Sequence, residues 1–408
     1  MKKILMTIAL FIYNLIHSAS IPAALENLGA TCYMNSTLQC LYQIEPLTNF
    51  LLSEESGKGS ELYKPDSVAM EYINLIKKIP QKQIKEVEIK PFCKPVFKKF
   101  FRLSFKKGKT QQQDAEEFLN QLLDHLMDTD VKESEKSNTF IPGTITKQSP
   151  AGDFIFDLFY SRIKESIEPL IANSKCKIKP QFAPYNKLNL SIQTFDTSII
   201  YPTQKDAIDA GTKYNSLQEC LTSFSSPEIR KEGYNCDGEL IDIKQEKRIQ
   251  SNPRYLIIAL NRYVNMQIGS AAKWSSVKVN HAVSFPLYDL DLKPYMTDDS
   301  TSKETKYDLI GFVQQAGALR GGHYTSWVKS NNKWYFCNDS SIREEDHEKE
   351  VENITKNGLD RNFTPYILFY KRTDQPSQSL QQSTQALQQL EAQLQALSSR
   401  AEEIKKKG

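Results

Sequence analysis

A single cysteine at the predicted start of a helix constrains this chain more than any other feature. Gly29 and small residues precede Cys32, and the apolar residues Met34, Leu38 and Leu41 follow it at helical spacing. The unpaired N–H groups and the dipole at a helix N-terminus favour a thiolate, so the position suits a nucleophile. Taken alone, however, a cysteine at a helix start more often serves packing than catalysis.

A second segment supplies the partners that such a thiol needs. Gly321 and Gly322 form a predicted turn, and His323 opens an alternating strand. After a short turn, a second strand ends at Asn338 and Asp339, which the hairpin brings beside the histidine. A distant cysteine together with a histidine oriented by Asn or Asp is the arrangement of papain-like thiol hydrolases. A purely structural histidine is the alternative.

Three segments, in this order, resemble the signature boxes of the ubiquitin-specific proteases, the large papain-like class of deubiquitinases. They are Leu25–Ser36 around the cysteine, Gln112–Leu119, and Gly321–Val328 around the histidine. The resemblance covers roughly residues 21–372 and includes Pro253–Tyr263, Val283–Pro286 and Tyr366–Tyr370.

The resemblance implies an α+β fold, a papain-like cysteine peptidase shaped like a hand, followed by a C-terminal helical tail. A helical thumb would span about residues 21–135 and carry the nucleophile. β-rich fingers, about 140–250, would grip ubiquitin, and a β-rich palm, about 250–372, would carry the histidine. The site would lie in the cleft between thumb and palm, a common place for a binding pocket.

The resemblance also implies a role for each site residue. Cys32 would attack the scissile carbonyl, with His323 as its base and Asn338 orienting the imidazole ring. Asp339 is next along the strand, and because strand neighbours point to opposite faces, only one of the two is expected to contact the histidine. Asn27, on the loop before the nucleophile, and the Cys32 backbone N–H would hold the oxyanion.

The predicted partners are ubiquitin and its conjugates, whose tail ends in Leu-Arg-Leu-Arg-Gly-Gly. Asp114 and Glu117 form a predicted helical i, i+3 pair, and by resemblance they receive the arginines of this tail. By the same resemblance, Gly322 and Tyr324 contact the tail in a narrow cleft. A solvated helix face is the alternative for the acidic pair. The alternative functions are a catalytically silent ubiquitin-binding module and a protease for another ubiquitin-like modifier.

No cofactor and no metal are predicted. Members of the family often hold the fingertips with zinc between two Cys-x-x-Cys pairs, whereas only Cys176 and Cys236 stand in these neighbourhoods here. Two thiolates fall short of four tetrahedral ligands. An odd total of seven cysteines in 408 residues argues against a disulfide scaffold.

The two ends of the chain differ in composition from the middle. Residues 1–20 combine a charged start, an apolar run and small residues, which is typical of a signal peptide. A buried first helix or an uncleaved anchor is the alternative. Residues 373–408 form a predicted linker and helical tail, whose heptad seam at 380–404 suits self-association or a partner helix. A single helix, frayed or docked on its own domain, is equally compatible with this seam.

Composition excludes several other classes of protein. With 39% hydrophobic and 25% charged residues, the chain can build a large core and is not wholly disordered. A net charge of +3 gives no reason to expect nucleic-acid binding. No apolar run reaches the length of a membrane span, so no stable span is expected in the mature chain.

The predicted location combines export with a cytosolic substrate. A signal peptide predicts a secreted protein, whereas ubiquitin conjugates are cytosolic and nuclear. Glycosylation sequons at Asn35 and Asn338 lie inside the site segments, where a glycan would block the cleft. The hypothesis that reconciles these observations is a secreted effector delivered into the cytoplasm of a host cell by a route without glycosylation.

Overall fold

The computed structural model describes residues 21–53, 64–79, 83–84, 86–106, 111–127, 150–171, 176–196, 199–270, 273–300, 302–318, 321–343 and 347–373. The predicted signal peptide and the predicted tail helix lie outside these residues. The chain divides into two compact units, Met1–Arg372 and Thr373–Gly408, and nearly all described residues belong to the first. None of the helices described there is both long enough and apolar enough to span a membrane.

The helices are α1 (Cys32–Tyr42), α2 (Glu45–Leu52), α3 (Val68–Lys78), α4 (Glu86–Phe100), α5 (Ala115–Leu126), α6 (Pro150–Phe159), α7 (Gln204–Ala210), α8 (Leu217–Ser225) and α9 (Glu348–Asn357). The strands are β1 (Ala24–Leu25), β2 (Gln83–Ile84), β3 (Ser161–Pro169), β4 (Gln181–Tyr185), β5 (Leu188–Ser191), β6 (Gln193–Thr194), β7 (Thr212–Lys213), β8 (Glu228–Cys236), β9 (Glu239–Ser251), β10 (Tyr255–Asn261), β11 (Tyr263–Ile268), β12 (Lys273–Lys278), β13 (Leu290–Asp291), β14 (Lys306–Ala316), β15 (His323–Ser330), β16 (Lys333–Asn338), β17 (Ser341–Arg343) and β18 (Thr364–Arg372).

The thumb consists of helices α1 to α6, which share one buried core. In α5 the apolar residues recur every three or four positions and therefore lie on one face. That face is buried and comprises Phe118, Leu119, Leu122, Leu123 and Leu126. Helix α6 falls within the predicted finger range, yet its residues Ile155, Leu158 and Phe159 pack into the thumb core. The thumb therefore continues beyond the predicted boundary.

The fingers are a four-stranded antiparallel sheet with the strand order β4–β3–β9–β8. A disulfide joins Cys176, which precedes β4, to Cys236 at the end of β8, with a Cα–Cα distance of 6.1 Å. The sequence predicted no metal at these two cysteines and argued against a disulfide scaffold, so this single bond was not expected. The β8–β9 hairpin and the segment before β4 are thus linked covalently.

The palm is an eight-stranded sheet with the order β17–β16–β15–β14–β18–β10–β5, and β13 pairs with β14. Strand β5, which the sequence assigned to the fingers, pairs in parallel with β10 and therefore belongs to the palm. The predicted hairpin after His323 is confirmed as β15 and β16. Its two turn residues, Asn331 and Asn332, have φ values of 49° and 60°, which asparagine tolerates better than most residues.

The palm sheet separates two cores because successive side chains of a strand point to opposite faces. In β10, Ile257 belongs to the core shared with the thumb, whereas Leu256 and Ile258 face the core on the other side. Strand β18 alternates in the same way, with Phe369 and Leu368 on opposite faces. The thumb therefore packs on one face of the palm, and the start of α1 meets the end of β16 at this junction.

Candidate active site

Cys32 is the first residue of α1, where the sequence predicted a nucleophile. Its side chain is only 3% exposed, and Gln112 Nε2 lies 3.9 Å from Sγ. Burial raises the pKa of the thiol to about 11, although backbone N–H groups of Tyr324, Tyr33 and Cys32 itself act in the opposite direction. The effect of burial on the thiol pKa is thus larger than that of the backbone N–H groups, and Cys32 needs a base to lose its proton.

His323 opens β15 and lies beside the end of β16. Its Nε2 is 2.7 Å from Oδ1 of Asn338, the residue that the resemblance implied as its partner. A carboxamide oxygen only accepts hydrogen bonds, so Nε2 carries the proton and Nδ1 is the basic nitrogen of the neutral ring. The side chain of His323 is 39% exposed and therefore accessible from the cleft. No hydrogen bond links the ring to Cys32 in the described part of the chain.

Asp339 also approaches the histidine, contrary to the expectation that strand neighbours point apart. Strand β16 ends at Asn338, and Asp339 has a φ of 50° in the following turn, so strand alternation does not apply to it. Its Oδ2 lies 4.0 Å from His323 Nε2, and its side chain is 11% exposed. Burial raises the pKa of this carboxyl, while hydrogen bonds from Asn35 and Asn27 oppose the rise.

Asn27 is held firmly on the loop before α1. Its Oδ1 accepts hydrogen bonds from the backbone N–H groups of Gly29 and Thr31, both at 3.1 Å. Its Nδ2 donates to Asp339 Oδ2 at 3.1 Å, which uses one of the two amide hydrogens. The second hydrogen can still donate to a substrate, so its role at the oxyanion stays a prediction.

The acidic pair predicted to bind arginines is arranged differently from the expectation. Asp114 lies outside the helical turn, as the N-cap of α5, and its Oδ1 accepts from the N–H groups of Glu116 and Glu117 at 2.7 and 3.1 Å. Its Oδ2 accepts from the Tyr366 hydroxyl of the palm at 2.9 Å. Glu117 is exposed and hydrogen-bonded by Gln121. Contact with a ubiquitin tail stays a prediction for both, and Asp114 already serves to join thumb and palm.

The two palm residues predicted to line the cleft differ from each other. A Cβ on Gly322 would lie 2.2 Å from Gln315 Nε2 and 2.3 Å from the Ala316 carbonyl, so only glycine fits there. The side chain of Tyr324 is 1% exposed and packs in the thumb–palm core. This burial keeps the side chain out of the open cleft in the described arrangement, so its contact with the ubiquitin tail stays a prediction, whereas its backbone N–H points at the Cys32 thiol.

Two polar residues near the site were not predicted from the sequence. Gln112 approaches the thiol, and Asn35, three residues after Cys32, donates to Asp339 Oδ1 at 2.8 Å. The available signal for Asn35 was its type, because asparagine is a poor helix former and is costly to bury without partners.

The finger cysteines do not form a zinc site. A disulfide leaves neither Cys176 nor Cys236 as a thiolate. Among the described residues, no cluster of three or more His, Cys, Asp or Glu side chains could hold a metal ion.

Comparison with known proteins identifies relatives over most of the chain. A family described as ubiquitin carboxyl-terminal hydrolase matches residues 23–370. Ubiquitin carboxyl-terminal hydrolase Usp2 of Drosophila melanogaster is 27% identical over 364 residues, which cover 86% of this chain and 34% of the fly protein. Probable ubiquitin carboxyl-terminal hydrolase 4 of Schizosaccharomyces pombe is 27% identical over 386 residues, which cover 86% of this chain and 59% of the yeast protein. The chain thus spans a third to three-fifths of the length of these curated relatives.

Solved structures share the fold. A SAGA DUB module of Ubp8, Sgf11, Sus1 and Sgf73 bound to monoubiquitin matches with a TM-score of 0.61 and 22% identity, covering 90% of this chain and 74% of that chain. The module bound to ubiquitin aldehyde matches with a TM-score of 0.58 and 23% identity, covering 86% of this chain and 70% of that chain. The predicted α+β hand is therefore confirmed.

Proposed function

Because this chain belongs to the ubiquitin carboxyl-terminal hydrolase family, we propose that it is a thiol-dependent deubiquitinase. It would hydrolyse the peptide or isopeptide bond after the C-terminal glycine of ubiquitin. The observation that carries the proposal is the 2.7 Å contact between His323 Nε2 and Asn338 Oδ1 beside a buried cysteine at a helix start. In the neutral ring this contact places the proton on Nε2 and leaves Nδ1 as the nitrogen that can accept the thiol proton, the arrangement that a cysteine hydrolase requires.

The proposed reaction uses four groups of the site. His323 Nδ1 takes the proton of Cys32, and the thiolate attacks the carbonyl carbon of the terminal glycine. The Cys32 backbone N–H and the remaining amide hydrogen of Asn27 stabilise the oxyanion. The imidazolium returns its proton to the departing amine, and a thioester remains on the cysteine. Water then attacks the thioester, giving free ubiquitin and the thiol.

Substrate binding must shift the equilibrium of Cys32 from thiol to thiolate. In the described arrangement the thiol has a pKa of about 11 because it is buried. A thiolate therefore forms only when the imidazole takes the proton directly, and we propose that the bound ubiquitin tail brings Cys32 and His323 into contact. Exposed Glu117 at the start of α5 supports recognition of the positively charged tail.

A ubiquitin probe with a C-terminal vinyl or alkyne group tests this function. We expect a covalent adduct at Cys32, and we expect none with Cys32→Ala. A folded wild-type protein that binds ubiquitin but is never labelled would favour the silent binding module, which the raised thiol pKa also supports. Labelling by a probe of another ubiquitin-like modifier, and not by the ubiquitin probe, would reassign the substrate.

We propose further that the protein is exported and acts inside a host cell. The signal-like pattern of residues 1–20 supports export. The Cys176–Cys236 disulfide supports passage through an oxidising compartment, where such bonds form and persist. Fractionation of the producing cells tests the proposal: the mature protein should be found outside them, and wholly intracellular protein would overturn it.

A further inference from the structure

We propose that Asn35 is a positioning residue that holds the oxyanion loop and the end of the histidine hairpin against the nucleophile helix. Its Nδ2 lies 2.8 Å from Asp339 Oδ1, 3.1 Å from the Leu25 carbonyl and 3.3 Å from the Glu26 carbonyl. One amide therefore links α1, the segment that leads to Asn27, and the turn after Asn338. The proposal rests on the proposed function, because positioning matters only if the site reacts.

Asp339 carries this link to the reacting groups. Asp339 Oδ1 accepts from Asn35, and Asp339 Oδ2 accepts from Asn27 Nδ2 at 3.1 Å. The same oxygen lies 4.0 Å from His323 Nε2, and the Asp339 carbonyl accepts from the Leu25 N–H at 2.9 Å. Without the Asn35 donor, the Asp339 carboxylate would no longer be held in place. The amide of Asn27 and the ring of His323, which lie against this carboxylate, would then lose their fixed positions.

Packing alone does not explain an asparagine at this position. The side chain is 2% exposed, and its Oδ1 is a buried acceptor without a hydrogen-bond partner in the described part of the chain. An apolar residue would avoid the cost of this unpaired oxygen and would form a better helix. The hydrogen bonds donated by Nδ2 must therefore compensate for the unpaired Oδ1. The shortest of these hydrogen bonds is to Asp339.

Gln39 offers a matched control on the same helix. It is 3% exposed, and its Nε2 donates to the carbonyl of Ala23 in the same incoming segment, whereas the side-chain donors to Asp339 are Asn27 and Asn35. Asn35→Ala and Gln39→Ala should therefore lower the melting temperature by similar amounts. With a fluorogenic ubiquitin substrate, Asn35→Ala should lower kcat roughly 10- to 100-fold with little change in KM, while Gln39→Ala keeps kcat within about twofold of wild type. Equal kcat values for the two folded variants would overturn the proposal.

A second pair of variants keeps the test valid if Asn35→Ala does not fold. Asn35→Asp has the same shape but places a carboxylate against Asp339, so it should also lose kcat. Adding Asp339→Asn exchanges donor and acceptor and should recover about tenfold of that loss, as expected for directly coupled residues. A double variant no better than Asn35→Asp alone would contradict the link.

A measurement without turnover separates this proposal from the proposed function. The ring signals of His323 and the side-chain amide signals of Asn27, followed by NMR, should move in Asn35→Ala and stay in Gln39→Ala. The chain has only five histidines, so the His323 signal can be assigned by substitution. Unmoved signals would overturn the positioning role, whereas failure of the wild type to react with a ubiquitin probe would overturn only the proposed function.

Discussion

At the scale of single residues, Cys32 shows how burial and local structure compete. Its place at the start of α1 favours the thiolate, yet burial raises its pKa to about 11. Because burial disfavours the charged form, the thiol form predominates near pH 7 in this arrangement. We expect alkylation of Cys32 by iodoacetamide to keep rising with pH up to about 10, with no plateau near neutrality. Cys32→Ser is the control, and a plateau near pH 7 would show a preformed ion pair with His323.

Asn338 and Asp339 both lie close to His323, but only Asn338 is hydrogen-bonded to its ring. Asn338 accepts directly from Nε2, whereas Asp339 lies 4.0 Å away and holds Asn27 and Asn35. Asn338→Ala should lower kcat by roughly 100-fold, because the imidazole loses its orienting partner. Asn338→Asp should be tolerated, since a carboxylate oxygen also accepts from Nε2.

The Asp339→Ala variant distinguishes orientation of the His323 ring from support of the Asn27 and Asn35 side chains. We expect a smaller loss of kcat than with Asn338→Ala, together with a lower melting temperature, because three elements lose a shared partner. Steady-state kinetics and thermal unfolding of each variant measure the two effects. A critical Asp339 beside a neutral Asn338 would reverse the assignment.

At the scale of elements, the start of α5 depends on Asp114. The carboxylate caps two backbone N–H groups and accepts from Tyr366 of β18. Asp114→Ala should lower the free energy of unfolding by about 1–2 kcal/mol, the usual cost of losing an N-cap plus one hydrogen bond. Asp114→Asn keeps an acceptor oxygen and should lose less than half of this, as urea unfolding would show. If Asp114 also binds a ubiquitin arginine, Asp114→Asn should raise KM, with Glu117→Gln as the comparison at an exposed carboxylate.

The fingers depend on the bond between Cys176 and Cys236, which are 60 residues apart in sequence. Loop-closure entropy predicts a stabilisation of at most about 4 kcal/mol for a crosslink of this separation. Urea unfolding of the wild type should therefore shift to lower concentration in reductant, whereas Cys176→Ser should already be shifted and not respond to reductant. A wild-type protein indifferent to reductant would mean that the bond contributes nothing to stability.

At the scale of the whole molecule, all the described site residues belong to the first compact unit, Met1–Arg372. The described site residues run from Asn27 in the N-terminal loop to Tyr366 in β18. Deletion of residues 374–408 should therefore leave cleavage of a simple ubiquitin substrate within about twofold of the full chain, since the contacts described for the site join residues between 25 and 366. It should lower the mass in light scattering if the predicted heptad seam self-associates. A large loss of turnover in a folded truncation would show that the tail contributes to the site.

Local patterns along the chain were sufficient for much of the fold. Helix α1 begins at the predicted cysteine, the buried face of α5 has the spacing of an amphipathic helix, and the predicted hairpin after His323 is formed by β15 and β16. These features depend on hydrogen bonds and side-chain spacing between residues close in sequence, which obey fixed helical and strand periods. For this reason these local features follow from the sequence by itself. The order of the three signature boxes does so too.

Only the tertiary structure decided what each polar group contacts. The carboxylate of Asp114 meets Tyr366 across 252 residues, and that of Asp339 meets Asn35 and Asn27 across 304 and 312. The raised pKa of Cys32 and the placement of Tyr324 in the core likewise come from burial between thumb and palm. Burial and long-range pairing depend on how distant segments pack, and no local spacing encodes them. The sequence therefore determined which groups could react, and the packing of thumb on palm decided how they are held.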